Sequence, residues 1–304
     1  MRVILIFVDG VGLGNQDENN PFVFTPTPGL SGLLAGKDLT REAKDYAGPE
    51  ATLLGIDATL GVPGLPQSAT GQTALFTGIN APACLGDHLR GFPNSTLRKI
   101  IEENSMFKLL KKERFKAAFA NAYRPPFFDL LRHGLPGNRY SCSTLATYYG
   151  GLPFFSLDDI KAGEALYMDI TNEILTRLGY DVPMFTPEEG AERLAEISRN
   201  YDFCLFEYFL SDLAGHLSDQ DEASRVISTL DRFIGGLAEL IDPGYEMIVV
   251  VSDHGNLENI SSGKHTLNEA MMLLIGDPIR RNRLNAGLSS LTDVLPAIKE
   301  LLYI

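Results

Sequence analysis

Apolar positions along this chain fall into short aliphatic runs that alternate with stretches of helical spacing. Val3 to Val8 is a continuous, β-branched apolar run closed by Asp9-Gly10. That pattern predicts a strand buried on both faces of a parallel sheet. Asp9 then stands at the carboxyl end, where open α/β sheets place ligands. Similar runs predict strands over 115–120, 203–209, 247–251 and 271–275. Helical spacing covers 97–112, 187–199 behind a Thr186 cap, 223–240 and 291–302. Between the first strand and these lies Ser68-Ala69-Thr70-Gly71-Gln72-Thr73-Ala74-Leu75-Phe76-Thr77-Gly78. It reads as a helix with Ser68 as N-cap, Leu75 and Phe76 as core positions and Gly78 as stop. Residues 11–50 are rich in Gly, Pro and Asn and predict a long irregular connection. No element is assigned to 51–60. Residues of about 124–185 are aromatic, Gly- and Pro-rich and poorly periodic, and predict a small cap or insertion. Strands alternating with helices predict one domain over 1–304. Its expected class is α/β, a three-layer sandwich with a mostly parallel central sheet and helices on both faces.

Composition narrows the function classes. Lys plus Arg total 26 against 39 Asp plus Glu, a formal net charge of −13. A chain this acidic lacks the clustered cations that phosphate backbones require, so nucleic acid is not an expected partner. A small anionic substrate stays open, because bound metal can supply local positive charge. Cys84, Cys142 and Cys204 form no disulfide framework and no Cys-x-x-Cys pair. No apolar stretch reaches the length of a membrane span, and the short apolar N-terminus meets Asp9 without a signal-peptide pattern. A cytoplasmic protein with no membrane partner is expected.

The candidate chemistry lies at the strand ends. Asp9, Asp212 and Asp253 each follow a predicted strand, so parallel pairing brings three carboxylates to one sheet edge. Asp212-Leu213-Ala214-Gly215-His216 sets Asp and His one helical turn apart. His254 adjoins Asp253, and His265 follows in Gly263-Lys264-His265-Thr266. Three Asp and three His are ligand types for zinc or manganese, and their number suits two divalent ions. Two ions can clamp the attacking and leaving oxygens of an in-line phosphoryl transfer. Ser68, at a helix start that favours a negative phosphate, is the candidate nucleophile.

These motifs resemble the alkaline phosphatase superfamily, and within it the branch of cofactor-independent phosphoglycerate mutase and phosphopentomutase. Val8-Asp9-Gly10 resembles the first metal-ligand motif. Asp212-Leu213-Ala214-Gly215-His216 resembles the Asp-x-x-Gly-His motif, and Ser252-Asp253-His254-Gly255-Asn256 and Lys264-His265-Thr266 the last two. Leu291-Thr292-Asp293-Val294-Leu295-Pro296-Ala297 is similar to the closing helix. The resemblance implies that Asp9, Ser68, Asp253 and His254 surround one metal and Asp212, His216 and His265 the other, as Mn2+ or Zn2+. For the nucleophile, Gly64-Leu65-Pro66 with Gly71-Gln72-Thr73 aligns Thr73, while Leu75-Phe76-Thr77-Gly78 selects Ser68. Ser68 is preferred, with Thr70 and Thr73 as rivals.

Two departures bear on activity. The stretch between Ser68 and Asp212 is too short for the large second domain with which the mutases return phosphate to substrate, and Gln72 stands where the mutase segment has histidine. Thr70 and Gln72 also occupy the positions at which sulfatases need Pro and Arg. The expectation is a phosphatase acting on a small phosphate monoester through a phosphoserine. A phosphomutase, a phosphodiesterase and a non-catalytic metal-binding module are the alternatives. Arg124, His133 and Arg139 are the candidate substrate-binding side chains in the cap. The sequence assigns no oligomeric state.

Overall fold

The computed structural model describes every residue except 138 and 304. Six strands form one sheet: β1 (Arg2–Val8), β2 (Ala51–Ile56), β3 (Ala117–Phe119), β4 (Phe203–Tyr208), β5 (Glu246–Val251) and β6 (Ala270–Ile275). Their order is β2-β6-β5-β1-β4-β3. The pairs β5-β1, β1-β4 and β4-β3 are parallel, whereas β6 is antiparallel to both β5 and β2.

Period-two alternation puts the side chains of β1 on opposite faces. Val3, Leu5 and Phe7 enter one core, and Ile4, Ile6 and Val8 the other. The first core is roofed by the helices Ser68–Thr77, Ser95–Asn104, Met106–Lys112, Cys142–Gly150 and Leu291–Leu302, the second by Pro28–Leu33, Pro187–Ser198 and Gln220–Leu240. The result is a three-layer α/β/α sandwich. Among the described residues no helix is long and apolar enough to cross a membrane.

Several local expectations change. Strand β2 lies in the stretch left unassigned; it is six residues long, carries Gly55, and gains its apolar environment only by pairing with β6. The connection over 11–50 is less irregular than its composition suggests, since Phe22, Leu30, Leu33, Leu34 and Leu39 are buried. The helix expected over 97–112 is two helices. They break at Ser105, whose backbone is extended and whose hydroxyl donates to the Ala146 carbonyl at 2.7 Å. The segment 124–185 divides. The Cys142–Gly150 helix is built into the first core, while Phe155, Ile160, Ala165, Tyr167 and Leu175 form a separate apolar cluster with Ala118 and Ala122.

Candidate metal centre

Three neighbouring parallel strands deliver the site. β1 ends into Asp9, β5 runs into Asp253-His254, and β4 leads into the helix Leu210–Leu217, which carries Asp212 in its first turn and His216 one turn later. Gly10 has φ +70, and a Cβ there would lie 2.6 Å from Asp212 Oδ1. Only glycine lets the β1 and β4 connections approach this closely. The turn is tied by backbone donors: Gly10 N–H donates to Asp253 Oδ1 at 3.3 Å and Val11 N–H to Ser252 Oγ at 2.8 Å.

Seven sequence-predicted residues meet here. Asp212, His216 and His265 offer ligand atoms that all lie within 4.8 Å of one another, and so do Asp9, Asp212 and His254. Asp212 is thus common to both groups, an arrangement that the four-plus-three division does not contain. Asp253 joins through its Oδ2, 3.5 Å from His254 Nε2. The His254 and His265 rings stack with centroids 3.8 Å apart.

The hydrogen-bond pattern bears on whether a cation fits. His216 Nδ1 faces the Gly263 carbonyl at 2.8 Å and His265 Nδ1 faces the Pro66 carbonyl at 2.8 Å. A carbonyl oxygen only accepts, so in the neutral imidazoles both Nδ1 atoms carry the proton and both Nε2 atoms present lone pairs. Those lone pairs are 3.3 Å apart, and each lies within 3.5 Å of an Asp212 oxygen. Buried Asp9 Oδ1 and Asp253 Oδ2 have no hydrogen-bond partner. Buried acceptors left without a donor are satisfied by cations, and imidazole nitrogen with carboxylate oxygen is a donor set that divalent transition metals accept. The electrostatics agree. Burial, reinforced by the neighbouring carboxylates, pushes Asp9 and Asp253 well above the usual carboxylate range. Burial likewise holds His254 and His265 below the ordinary imidazole range.

Ser68 Oγ lies 3.0 Å from His254 Nε2. Ser68 is the first residue of its helix and not the cap: Gln67 occupies that position in extended conformation and makes no side-chain capping bond. The rivals are occupied elsewhere. Thr70 Oγ1 donates to the Gln67 carbonyl and Thr73 Oγ1 to the Ala69 carbonyl at 2.6 Å, and both side chains are buried. Both hydroxyls thus bond back along their own helix. Of the three candidate substrate residues, Arg124 lines the cavity next to Ser68. His133 and Arg139 are exposed and do not line it.

Other contributors stand behind the ligand atoms. Gln72 donates to Asp9 Oδ2 at 3.1 Å, and Asn256 Nδ2 donates to Asp212 Oδ1 at 2.7 Å. Buried Glu258 accepts from Gly12 N, Asn256 N, Thr266 Oγ1 and Asn268 Nδ2, which fastens the loop carrying His265 to the β1 turn. Glu207, on β4, lines the cavity of about 540 Å³. Burial raises its carboxyl to about 7, opposed in part by the Ser143 hydroxyl that donates to it at 2.6 Å. The position of Gln72, one turn after Ser68, could have been read from helical spacing. The roles of Glu207 and Glu258 depend on neighbours far away in sequence.

Comparison with known proteins places this geometry. Residues 171–304 match a family described as the Metalloenzyme superfamily. The 2,3-bisphosphoglycerate-independent phosphoglycerate mutase of Pyrococcus abyssi is 22% identical over 323 residues, covering 96% of this chain and 78% of the relative. The enzyme of the same name from Desulforudis audaxviator is 29% identical over 130 residues, 40% of this chain and only 25% of that protein. Among solved structures, PH0037 from Pyrococcus horikoshii superposes with a TM-score of 0.61 at 15% identity, covering 99% of this chain and 96% of the other. The alkaline phosphatase of the Antarctic bacterium TAB5 superposes at 0.51 and 12% identity, covering 99% and 98%. The chain has an alkaline-phosphatase-like α/β fold. In sequence it is similar to the 2,3-bisphosphoglycerate-independent phosphoglycerate mutases.

Proposed function

We propose that this chain is a metal-dependent phosphoryl-transfer enzyme that hydrolyses a small phosphate monoester, with Ser68 as nucleophile. The observation that carries the reading is the 3.0 Å approach of Ser68 Oγ to His254 Nε2, beside the carboxylates of Asp9 and Asp212. Asp9, Asp253 and His254 would hold one divalent ion and His216 and His265 the other, with Asp212 shared between them. Mn2+ and Zn2+ both suit the donor set. Bound there, the ions supply positive charge that favours the serine alkoxide and balances the phosphoryl oxygens.

The chain's own groups account for the remaining requirements. The Ser68–Thr77 helix opens without a side-chain cap, so its first N–H groups and dipole favour an anion beside Ser68. Ser68 Oγ gives its proton to a water molecule and attacks phosphorus in line. The bond to the ester oxygen breaks, and the departing alkoxide takes a proton from water. A second water then attacks phosphoserine, the bond between phosphorus and Oγ breaks, Oγ regains a proton from water, and inorganic phosphate leaves. Gln72 orients Asp9, and Asn256 orients Asp212.

Hydrolysis is favoured over transfer because the residues between Ser68 and Asp212 build β3, β4 and the helices packed on them. A mutase is the second reading, supported by the match to the P. abyssi enzyme along 96% of this chain. The test combines metal analysis with hydrolysis of an aryl phosphate, an aryl phosphodiester and labelled phosphoglycerate by wild type and Ser68→Ala. Bound divalent metal with Ser68-dependent release of inorganic phosphate from the monoester supports the proposal. Movement of label between positions of one substrate favours the mutase. Preference for the diester favours a phosphodiesterase. Metal binding without any Ser68-dependent turnover leaves a non-catalytic module.

A further inference from the structure

The cavity beside Ser68 has a chemical character of its own. One end is polar, formed by Asp9, Ser68, Gln72 and Asp212. The rest of the lining is rich in aromatic rings, Phe92, Phe119, Tyr123, Phe127, Tyr167 and Phe209, with Asn121, Ser141 and Thr144 beside them. The aromatic wall is stiff. Tyr123 and Phe127 stack with centroids 4.0 Å apart, and Phe154 packs edge-on against both. Tyr123 is further fixed by a 2.7 Å hydrogen bond between its hydroxyl and that of Thr144. About 540 Å³ is far more room than a phosphoryl group needs and falls in the usual range of small-molecule sites.

The charge balance of this cavity decides what fits beyond the phosphate. Arg124, exposed at the start of the Pro125–Leu131 helix, is the one cationic side chain among the described residues that line it. With Asp9 and Asp212 committed to the divalent ions of the proposed function, the buried Glu207 in the wall is the acidic side chain that stands beside it. A leaving alcohol that carries its own carboxylate, as phosphoglycerate does, finds a single solvated partner and an adjacent acidic group. A polyhydroxylated sugar finds Asn121, Ser141 and Thr144 in the lining, each already hydrogen-bonded to a protein partner. A flat, uncharged aromatic group gains burial and edge or face contacts with fixed rings.

From this juxtaposition of nucleophile and aromatic wall we infer that the preferred substrate is a phosphate monoester of an uncharged aromatic alcohol. The inference rests on the phosphatase reading and extends it to the leaving group. In the reaction, water and the ester give inorganic phosphate and the free aromatic alcohol. The phosphoryl group occupies the polar end, and the ring occupies the aromatic one.

Leaving groups of matched basicity separate recognition from intrinsic reactivity. The metal-loaded enzyme, prepared with Mn2+ and separately with Zn2+, is assayed for kcat/KM on 2-phenylethyl phosphate, ethyl phosphate and 3-phosphoglycerate. The phenylethyl ester is expected to exceed ethyl phosphate by at least about 20-fold, the order expected for burying one ring. Phe127→Ala should reduce that ratio at least about 5-fold. Phe92→Ala, at a side chain 49% exposed and so replaceable without loss of fold, should reduce it too. Saturation-transfer NMR with 2-phenylethanol and the zinc-loaded protein reads occupancy of the cavity without turnover. Equal or faster reaction of ethyl phosphate or 3-phosphoglycerate overturns the inference and leaves the phosphatase reading standing. Binding of 2-phenylethanol that both variants weaken, with no hydrolysis of any ester, overturns the phosphatase reading and supports the ligand class. Neither binding nor turnover overturns both.

Discussion

His216 Nε2 and His265 Nε2 stand 3.3 Å apart, each ring anchored through its Nδ1 to a backbone carbonyl. Two imidazole lone pairs therefore converge beside the Asp212 carboxylate with no protein donor between them. Removing one should remove the ion they share. His265→Ala is expected to lower bound divalent metal from about two ions per chain to about one, read by elemental analysis after dialysis. Adding Mn2+ or Zn2+ should raise the unfolding temperature of the wild type more than that of the variant.

Gln72 donates to Asp9 Oδ2 and so aims the carboxylate that ends β1. Gln72→Ala should weaken metal binding by about 10- to 100-fold, the usual effect of losing a partner behind a ligand. Gln72→His keeps a ring N–H in reach and should retain most of the affinity. Competition with a chromogenic chelator measures both. Equal loss in the two variants would mean that side-chain volume, and not the donor, matters here.

Glu258 is a hub rather than a ligand. Its carboxylate takes hydrogen bonds from Gly12, Asn256, Thr266 and Asn268, and it is 1% exposed. Glu258→Ala leaves these donors facing a void. Unsatisfied buried donors cost about 1–3 kcal/mol apiece, discounted for relaxation, so a loss of about 3 kcal/mol or more in urea unfolding is expected. Metal affinity should fall in parallel, because the same loop carries His265.

Glu207 makes stability depend on pH. Its folded carboxyl titrates near 7 against an ordinary value of 4.5, with burial as the main cause. Between those values the native state holds a proton that the unfolded chain has released. Stability from this group is complete below pH 4.5 and is lost as pH rises towards and through 7. The total is on the order of 3 kcal/mol. Denaturation of metal-free protein across this range should show the decline in wild type and a flatter profile in Glu207→Gln.

How far the site is legible in the chain differs between its parts. Asp9, Asp253 and His254 can be placed because a continuous apolar run ends directly before Asp9 and one residue before Asp253-His254, and such runs mark strands buried on both faces of a parallel sheet. Asp212 and His216 are legible because a spacing of four residues is one helical turn. Ser68 is legible as a helix start but not as the first residue inside it. The placement of Arg124, His133 and Arg139 is not legible, because the irregular stretch that carries them has no periodicity from which direction can be read. Only Arg124 reaches the cavity. Strand β2 escaped for a related reason. A six-residue run containing Gly55 has little intrinsic preference, and its partner β6 lies more than two hundred residues along the chain.

The sequence by itself determined the layered α/β architecture and which carboxylates and imidazoles end its strands, because those properties follow from local period and the common direction of parallel strands. Only the tertiary structure decided that Asp212 is common to both ligand groups. It also decided that Glu258 fastens the His265 loop and that rings as far apart along the chain as Phe92 and Phe209 wall the space beside Ser68. Such relationships depend on strand order and helix packing, which bring together residues whose spacing along the chain carries no record of their contact.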